Sequence, residues 1–149
     1  MIALLCTVVQ GAWAESVTFN VCSWDDVNKR VVTTTETKDC TVLAGDPGEW
    51  MQLGDADDQD HYYVVKGNVS YMTLNCFGRV HLILADDATL TCTGGIKVET
   101  ANSDAKLFIY GQTGDTGQLI VTNSYERAAG IGGGEGWDCG EITIHGGFR

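Results

Sequence analysis

The side chains that could carry out acid or base chemistry in this sequence are mostly carboxylates, and several occur as adjacent pairs. The pairs are Asp25 with Asp26, Asp57 with Asp58, and Asp86 with Asp87. Enzymes that cleave polysaccharides need two carboxyl groups facing one glycosidic bond, or carboxylates with calcium and a basic residue. Neighbours in a strand point to opposite faces, so adjacency alone does not form such a pair. We therefore expect turns at these positions and no catalytic residue.

Other catalytic and metal-binding patterns are equally weak. His61, His81 and His145 lack the spacing of metal-binding histidine motifs, and we expect them at surface or lateral positions. The nine lysines and arginines form no basic cluster. We therefore predict a protein that is not an enzyme, and a polysaccharide lyase or hydrolase is the alternative.

A glycine-rich segment offers the one candidate for a metal. Residues 133–138 read Gly-Gly-Glu-Gly-Trp-Asp, which fits the opening of a calcium-binding nonapeptide repeat. Asp138 would be the calcium ligand. Such a site needs stacked copies that share ligands, and this is a single copy, so a glycine-rich corner with Trp137 over its edge is the alternative. No other cofactor is expected.

Aromatic side chains could bind sugars, because their flat faces stack on sugar rings. Tyr110 follows Ile109, which we expect to face inward, so Tyr110 should face outward. Trp137 falls at a corner. We predict that Tyr110 and Trp137 contact carbohydrate. The other aromatic side chains considered are Trp24, Trp50, Tyr62, Tyr63 and Tyr125.

Composition limits the partners and the cellular location. The 149-residue chain has a net charge of −11, which disfavours binding to nucleic acid. Residues 1–14 combine an apolar run with Ala12-Trp13-Ala14, a pattern typical of a signal-peptide cleavage site. The positive n-region is missing, so the alternatives are a signal peptide that starts further upstream or a buried strand. We expect an exported protein, extracellular or at the cell surface, whose mature chain has no membrane span.

Five cysteines follow the expected signal peptide. Disulfides between Cys22 and Cys40 and between Cys76 and Cys92 are sterically plausible in an oxidising compartment. The alternative is that the cysteines are small buried thiols in a β core.

The elements that must position these side chains are short strands. Pairs of apolar residues at alternate positions begin at Leu82, Ile96, Leu107, Leu119 and Ile142, with Ile131 alone between the last two, at steps of 14, 11, 12, 12 and 11 residues. Every second step returns after 23 to 25 residues, which predicts coils in which each strand pairs with the equivalent strand one turn later. Leu107 and Ile109 would point inward, whereas Lys106 and Phe108 would point outward. An antiparallel sandwich is the competing architecture.

The first half of the chain is expected to cap this stack. Residues 17–21 and 30–35 predict a hairpin, and residues 43–60 predict a loop before the stacked region begins at Tyr62. The predicted domains are a signal peptide over 1–14, a hairpin and cap region over 15–66, and solenoid coils over 67–149.

Several blocks of the sequence are similar to a known family. Residues 39–43, 62–69, 80–86, 107–112 and 129–134 resemble repeat-bearing exported proteins of gut and rumen bacteria, which are described as surface or carbohydrate-binding β-helix proteins. The resemblance covers most of residues 17–147. It implies an all-β, right-handed parallel β-helix (β-solenoid) at or beyond the cell surface, and it supplies no catalytic residue.

These observations predict a non-catalytic, exported β-helix module that contacts polysaccharide or host glycans. A structural spacer within a larger surface protein is the second interpretation. Fold-level similarity does not identify a binding site.

Overall fold

The computed structural model describes residues 13–101, 104–123 and 127–145, and every regular element in these ranges is a β-strand. The strands are β1 (Ala14–Asp25), β2 (Arg30–Leu43), β3 (Asp46–Gly54), β4 (Asp60–Val65), β5 (Asn68–Phe77), β6 (Arg79–Leu84), β7 (Thr89–Cys92), β8 (Ile96–Val98), β9 (Lys106–Gly111), β10 (Gln118–Val121), β11 (Ile131–Gly132) and β12 (Glu141–Ile144).

The strands stack in parallel as a β-solenoid of about three turns. One sheet has the order β1-β2-β4-β6-β9-β12, and the other has the order β10-β7-β5-β8-β11 with β3 also paired to β5. Among the named strands only β1 and β2 pair antiparallel. The predicted solenoid is therefore confirmed, and the antiparallel sandwich is not formed.

The register differs from the predicted return of 23 to 25 residues. Tyr63 lies beside Leu82, Leu82 beside Ile109, and Ile109 beside Ile144, so successive returns take 19, 27 and 35 residues. Ile131 pairs with Ile96 in the other sheet and not with the strand of Leu107. The prediction failed because the connections between strands differ in length from coil to coil, which the spacing of apolar pairs does not reveal.

The core of the stack consists of the inward side chains of consecutive coils. Leu107 and Ile109 are fully buried, as predicted. The side chains of the last coil are less covered, since Ile144 is 54% exposed where Ile109 in the preceding coil is 0% exposed. Among the described residues, the apolar side chains of β10, β11 and β12 are thus less covered than those of the preceding coil.

The predicted hairpin is present and longer than expected. Its turn is held by the carboxylate of Asp25, which accepts hydrogen bonds from the backbone N–H groups of Val27 and Asn28 at 3.0 and 3.1 Å. The hairpin bends over the outer face of the first sheet. There the Asn20 amide donates to the backbone oxygen of Gln112 at 2.9 Å, and the Gln112 amide donates to the backbone oxygen of Thr18 at 3.0 Å.

The segment expected to form a loop over residues 43–60 contains a strand. β3 runs parallel to β5, with an irregularity between Asp46 and Trp50 that accommodates the single proline. Stacking begins at Thr41, so the coils include part of the range assigned to the cap. The turn or bend expected at each aspartate pair is present.

The predicted disulfides are not formed, and all five described cysteines are free thiols. Cys22 faces Thr33 and Cys40 faces Glu15, which places the two cysteines far apart along the hairpin. Cys76 pairs with Val98 and Cys92 pairs with Tyr71. Burial raises the pKa of both core thiols to about 12, so they are inert small side chains of the core.

Residues 1–12, which hold most of the predicted signal peptide, lie outside the described residues. In the part of the chain that the structure describes, no helix is long and apolar enough to cross a membrane.

Candidate functional site

A groove of about 660 Å³ lies on the outer face of the second sheet. Its volume lies within the range that small-molecule and cofactor sites occupy. The groove crosses several coils, from the strand β3 to the segment that contains β11. Six of the residues that line it are Trp50, Gly94, Lys97, Arg127, Gly134 and Glu135.

Strand alternation places Trp50 and Lys97 in the groove. Lys97 stands between Ile96 and Val98, which are fully buried, so its side chain must face outward. Trp50 is 50% exposed. The Lys97 ammonium lies 5.0 Å from the centroid of the Trp50 ring, a cation–π contact that joins an aromatic face to a positive charge.

The opposite wall of the groove is the glycine-rich segment around β11. Arg127 forms an ion pair with Glu135 at 2.8 Å, and both side chains are exposed. Glu99 is buried, and its carboxylate accepts a hydrogen bond from the backbone N–H of Gly134 at 3.0 Å. A side chain at position 134 would meet that carboxylate at 2.9 Å, so glycine allows this close approach.

Trp137 stands beside this wall, as its predicted corner position requires. Its backbone N–H donates to the oxygen of Gly134 at 3.2 Å, and its side chain is exposed. It is therefore accessible to a ligand next to the groove.

Asp138, the predicted calcium ligand, is not grouped with other acidic side chains in the described residues. Its backbone oxygen accepts a hydrogen bond from the backbone N–H of Thr100 at 3.1 Å. Within the described ranges, no group of three or more histidines, cysteines, aspartates or glutamates is placed to hold a metal ion. The glycine-rich corner is the arrangement that the structure shows.

The predicted exposure of Tyr110 is wrong. Tyr110 faces away from the core, as expected, but it is only 5% exposed because the hairpin covers it. The Phe19 ring lies 4.7 Å from the Tyr110 ring, and the His145 ring stacks on Tyr110 at 4.6 Å. Tyr110 therefore cannot stack on a sugar while the hairpin is in place.

His81 also lies under the hairpin and not at the surface. Its Nδ1 is 2.9 Å from the Tyr110 hydroxyl, and its Nε2 is 3.0 Å from Asp60 Oδ1. Arg79 donates two hydrogen bonds to the Asp60 carboxylate, at 2.9 and 2.8 Å. Burial opposes the charged form of Asp60, but the hydrogen bonds from His81 and Arg79 outweigh it and lower the pKa of that carboxyl. Burial lowers the pKa of His81, even though Asp60 acts in the opposite direction.

Sequence reasoning considered Trp50 among the aromatic side chains but did not select it. The region around Trp50 predicted a loop, and a loop gives no direction to a side chain. A signal for Lys97 was present, since it stands between two apolar residues of a predicted strand. The groove itself required the pairing of β3 with β5, which local patterns do not reveal. Tyr125 lies outside the described residues.

Comparisons of the chain with known protein families, with curated proteins and with solved structures find no match. The resemblance to exported β-helix proteins remains a prediction from the sequence blocks.

Proposed function

We propose that this protein is a non-catalytic, exported carbohydrate-binding module, and that the groove between Trp50 and Arg127 holds the sugar. The observation that supports the proposal best is the half-exposed ring of Trp50, fixed on a strand of the solenoid beside charged side chains. Aromatic platforms with a few polar groups are suited to sugar rings, which have apolar faces and hydroxyl edges.

The groups around Trp50 can form hydrogen bonds to sugar hydroxyls. Arg127 offers several N–H donors, of which only part is used by Glu135. Glu135 offers carboxylate oxygens as acceptors. Because Trp50 and Lys97 lie on β3 and β8, which both pair with β5, the ligand would meet a surface that needs little rearrangement.

Trp50→Ala tests the proposal in a pull-down on insoluble polysaccharides and in affinity electrophoresis with soluble ones. We expect an affinity loss of at least about tenfold, since removal of a central aromatic contact costs more than about 1.4 kcal/mol. Trp24→Ala is the matched control, because Trp24 is 57% exposed at the hairpin tip, away from the groove. Equal losses in the two variants would contradict the assignment of the groove.

Trp137→Ala should weaken retention by a smaller factor, because Trp137 lies beside the groove. Failure of the wild-type protein to bind any polysaccharide would favour the structural spacer instead. Release of sugars by the wild-type protein from pectin or xylan, with or without Ca²⁺, would contradict the non-catalytic part of the proposal.

A further inference from the structure

We infer that the groove selects an anionic saccharide, and that Lys97 binds the carboxylate of a uronic acid whose ring lies against Trp50. This inference depends on the proposed carbohydrate-binding function and names the class of sugar.

Lys97 differs from the other lysines in its partners. It is the one lysine of five that forms no ion pair with a described residue. The other pairs are Lys29 with Asp26, Lys38 with Glu36, Lys66 with Glu15, and Lys106 with Glu141. In a chain with 20 acidic and nine basic residues, a lysine that faces outward without a carboxylate is unusual. Its contact is the Trp50 ring.

Glu135, which lines the groove, and Glu99 behind its glycine-rich wall already have partners. The Glu99 carboxylate is buried and bound to the backbone of Gly134, and Glu135 is paired with Arg127. Neither is within ion-pair distance of Lys97 Nζ. The Lys97 charge is therefore available to a ligand.

A uronic acid fits both parts of this arrangement. Its ring presents C–H groups that can lie on Trp50, and its carboxylate is attached to the same ring. A Lys97 ammonium 5.0 Å from the Trp50 centroid is close enough to bind a carboxylate on a sugar that contacts the indole. The flexible lysine stem lets the ammonium move with the ligand. Because the protein carries a net charge of −11, it repels polyanions elsewhere, and this cation gives one position where they are accepted.

The test compares polyuronates with their own methyl esters, which keep the sugar backbone and remove the charge. Polygalacturonate, alginate and hyaluronan, each with its fully esterified form, are measured by affinity electrophoresis with the whole protein. We expect at least one polyuronate to bind about five- to tenfold more tightly than its ester, a preference that 0.5 M salt reduces.

Lys97→Gln should remove this preference, so that the variant binds a polyuronate and its ester with equal affinity. Lys66→Gln is the matched control, because Lys66 is an exposed lysine in the corner after β4 and does not line the groove, so this variant should keep the preference. Thermal unfolding curves of both variants show whether the fold is kept.

The two proposals fail in different ways. If esters and neutral polysaccharides bind as tightly as polyuronates, or if Lys97→Gln keeps the preference, the inference about the anionic sugar is wrong while carbohydrate binding stands. If no polymer binds, the proposed function itself fails.

Discussion

The outer faces of the two sheets differ in their exposure to solvent. On the first sheet the hairpin covers the outward side chains, so that His81 and Tyr110 are buried. On the second sheet the outward side chains of Trp50 and Lys97 line an accessible groove. Both faces follow the same alternation of inward and outward residues. The comparison shows that alternation along a strand determines which face of the sheet a side chain lies on. Whether that face is exposed to solvent depends on a segment distant in sequence, here the hairpin.

The largest effect is expected from the core that both faces share. Leu107→Asp should destabilise the protein by several kcal/mol and unfold the stack, because a charge would be buried at a fully covered position. Lys106→Ser is the control on the neighbouring outward position, and its loss should stay below about 1 kcal/mol, the usual range for an exposed ion pair such as that with Glu141. Urea unfolding measures both. Equally mild effects would show that the inward assignment is wrong.

The next largest loss of stability is expected on the face that the hairpin covers. Phe19→Ala should cost about 3 to 5 kcal/mol, because Phe19 is fully buried against Tyr110 and Tyr62. Hydrogen exchange should accelerate mainly in β1, while β5 and β8 stay protected. Exchange that accelerates equally in both sheets would argue against a hairpin that opens separately from the stack.

The covered face should also make stability depend on pH between pH 5 and 7.5. His81 has a pKa below its ordinary value of 6.5, so the folded state resists protonation that the unfolded state accepts. Stability should therefore be full above about pH 6.5 and decrease as the pH falls below it. The lowered pKa of Asp60 adds a further decrease below its ordinary value of 3.8.

Thermal unfolding from pH 7.5 to pH 5 measures this dependence. His81→Gln should flatten it in that interval, while His61→Gln, which removes a histidine paired with Asp57 outside the covered cluster, should keep it. The charged and titratable groups around His81 include Asp60, Arg79, Tyr62, Tyr110 and Glu36. A dependence that survives His81→Gln would assign it to another group.

The smallest effect on stability is expected on the open face. Trp50→Ala should change the free energy of unfolding by at most about 1 kcal/mol, since the ring is half exposed and loses mainly its contact with Lys97. Urea unfolding of this variant, together with the binding measurement, shows whether Trp50 contributes to ligand affinity or to the stability of the fold. A loss as large as that of Phe19→Ala would place Trp50 in the structural core.

The sequence predicted the solenoid class, the hairpin and the burial of Leu107 and Ile109, because these depend on local alternation and turn residues. It did not predict the register. The apolar pairs are almost evenly spaced along the chain even though the coils differ in length, so the spacing does not show which strands pair. It misjudged the exposure of Tyr110, which depends on a contact with Phe19 some 90 residues away. It selected Trp137 but not Trp50 or Lys97, because their meeting requires β3 to join the stack.

The unequal lengths of the coils have a consequence for how the protein folds. In a solenoid of identical repeats, a strand that docks one turn too early meets a partner of matching length and pattern, so slippage costs little. Here the returns of 19, 27 and 35 residues mean that a misplaced strand leaves its connecting corner too short or too long. We therefore expect the unequal connections to disfavour a strand that docks on the wrong coil.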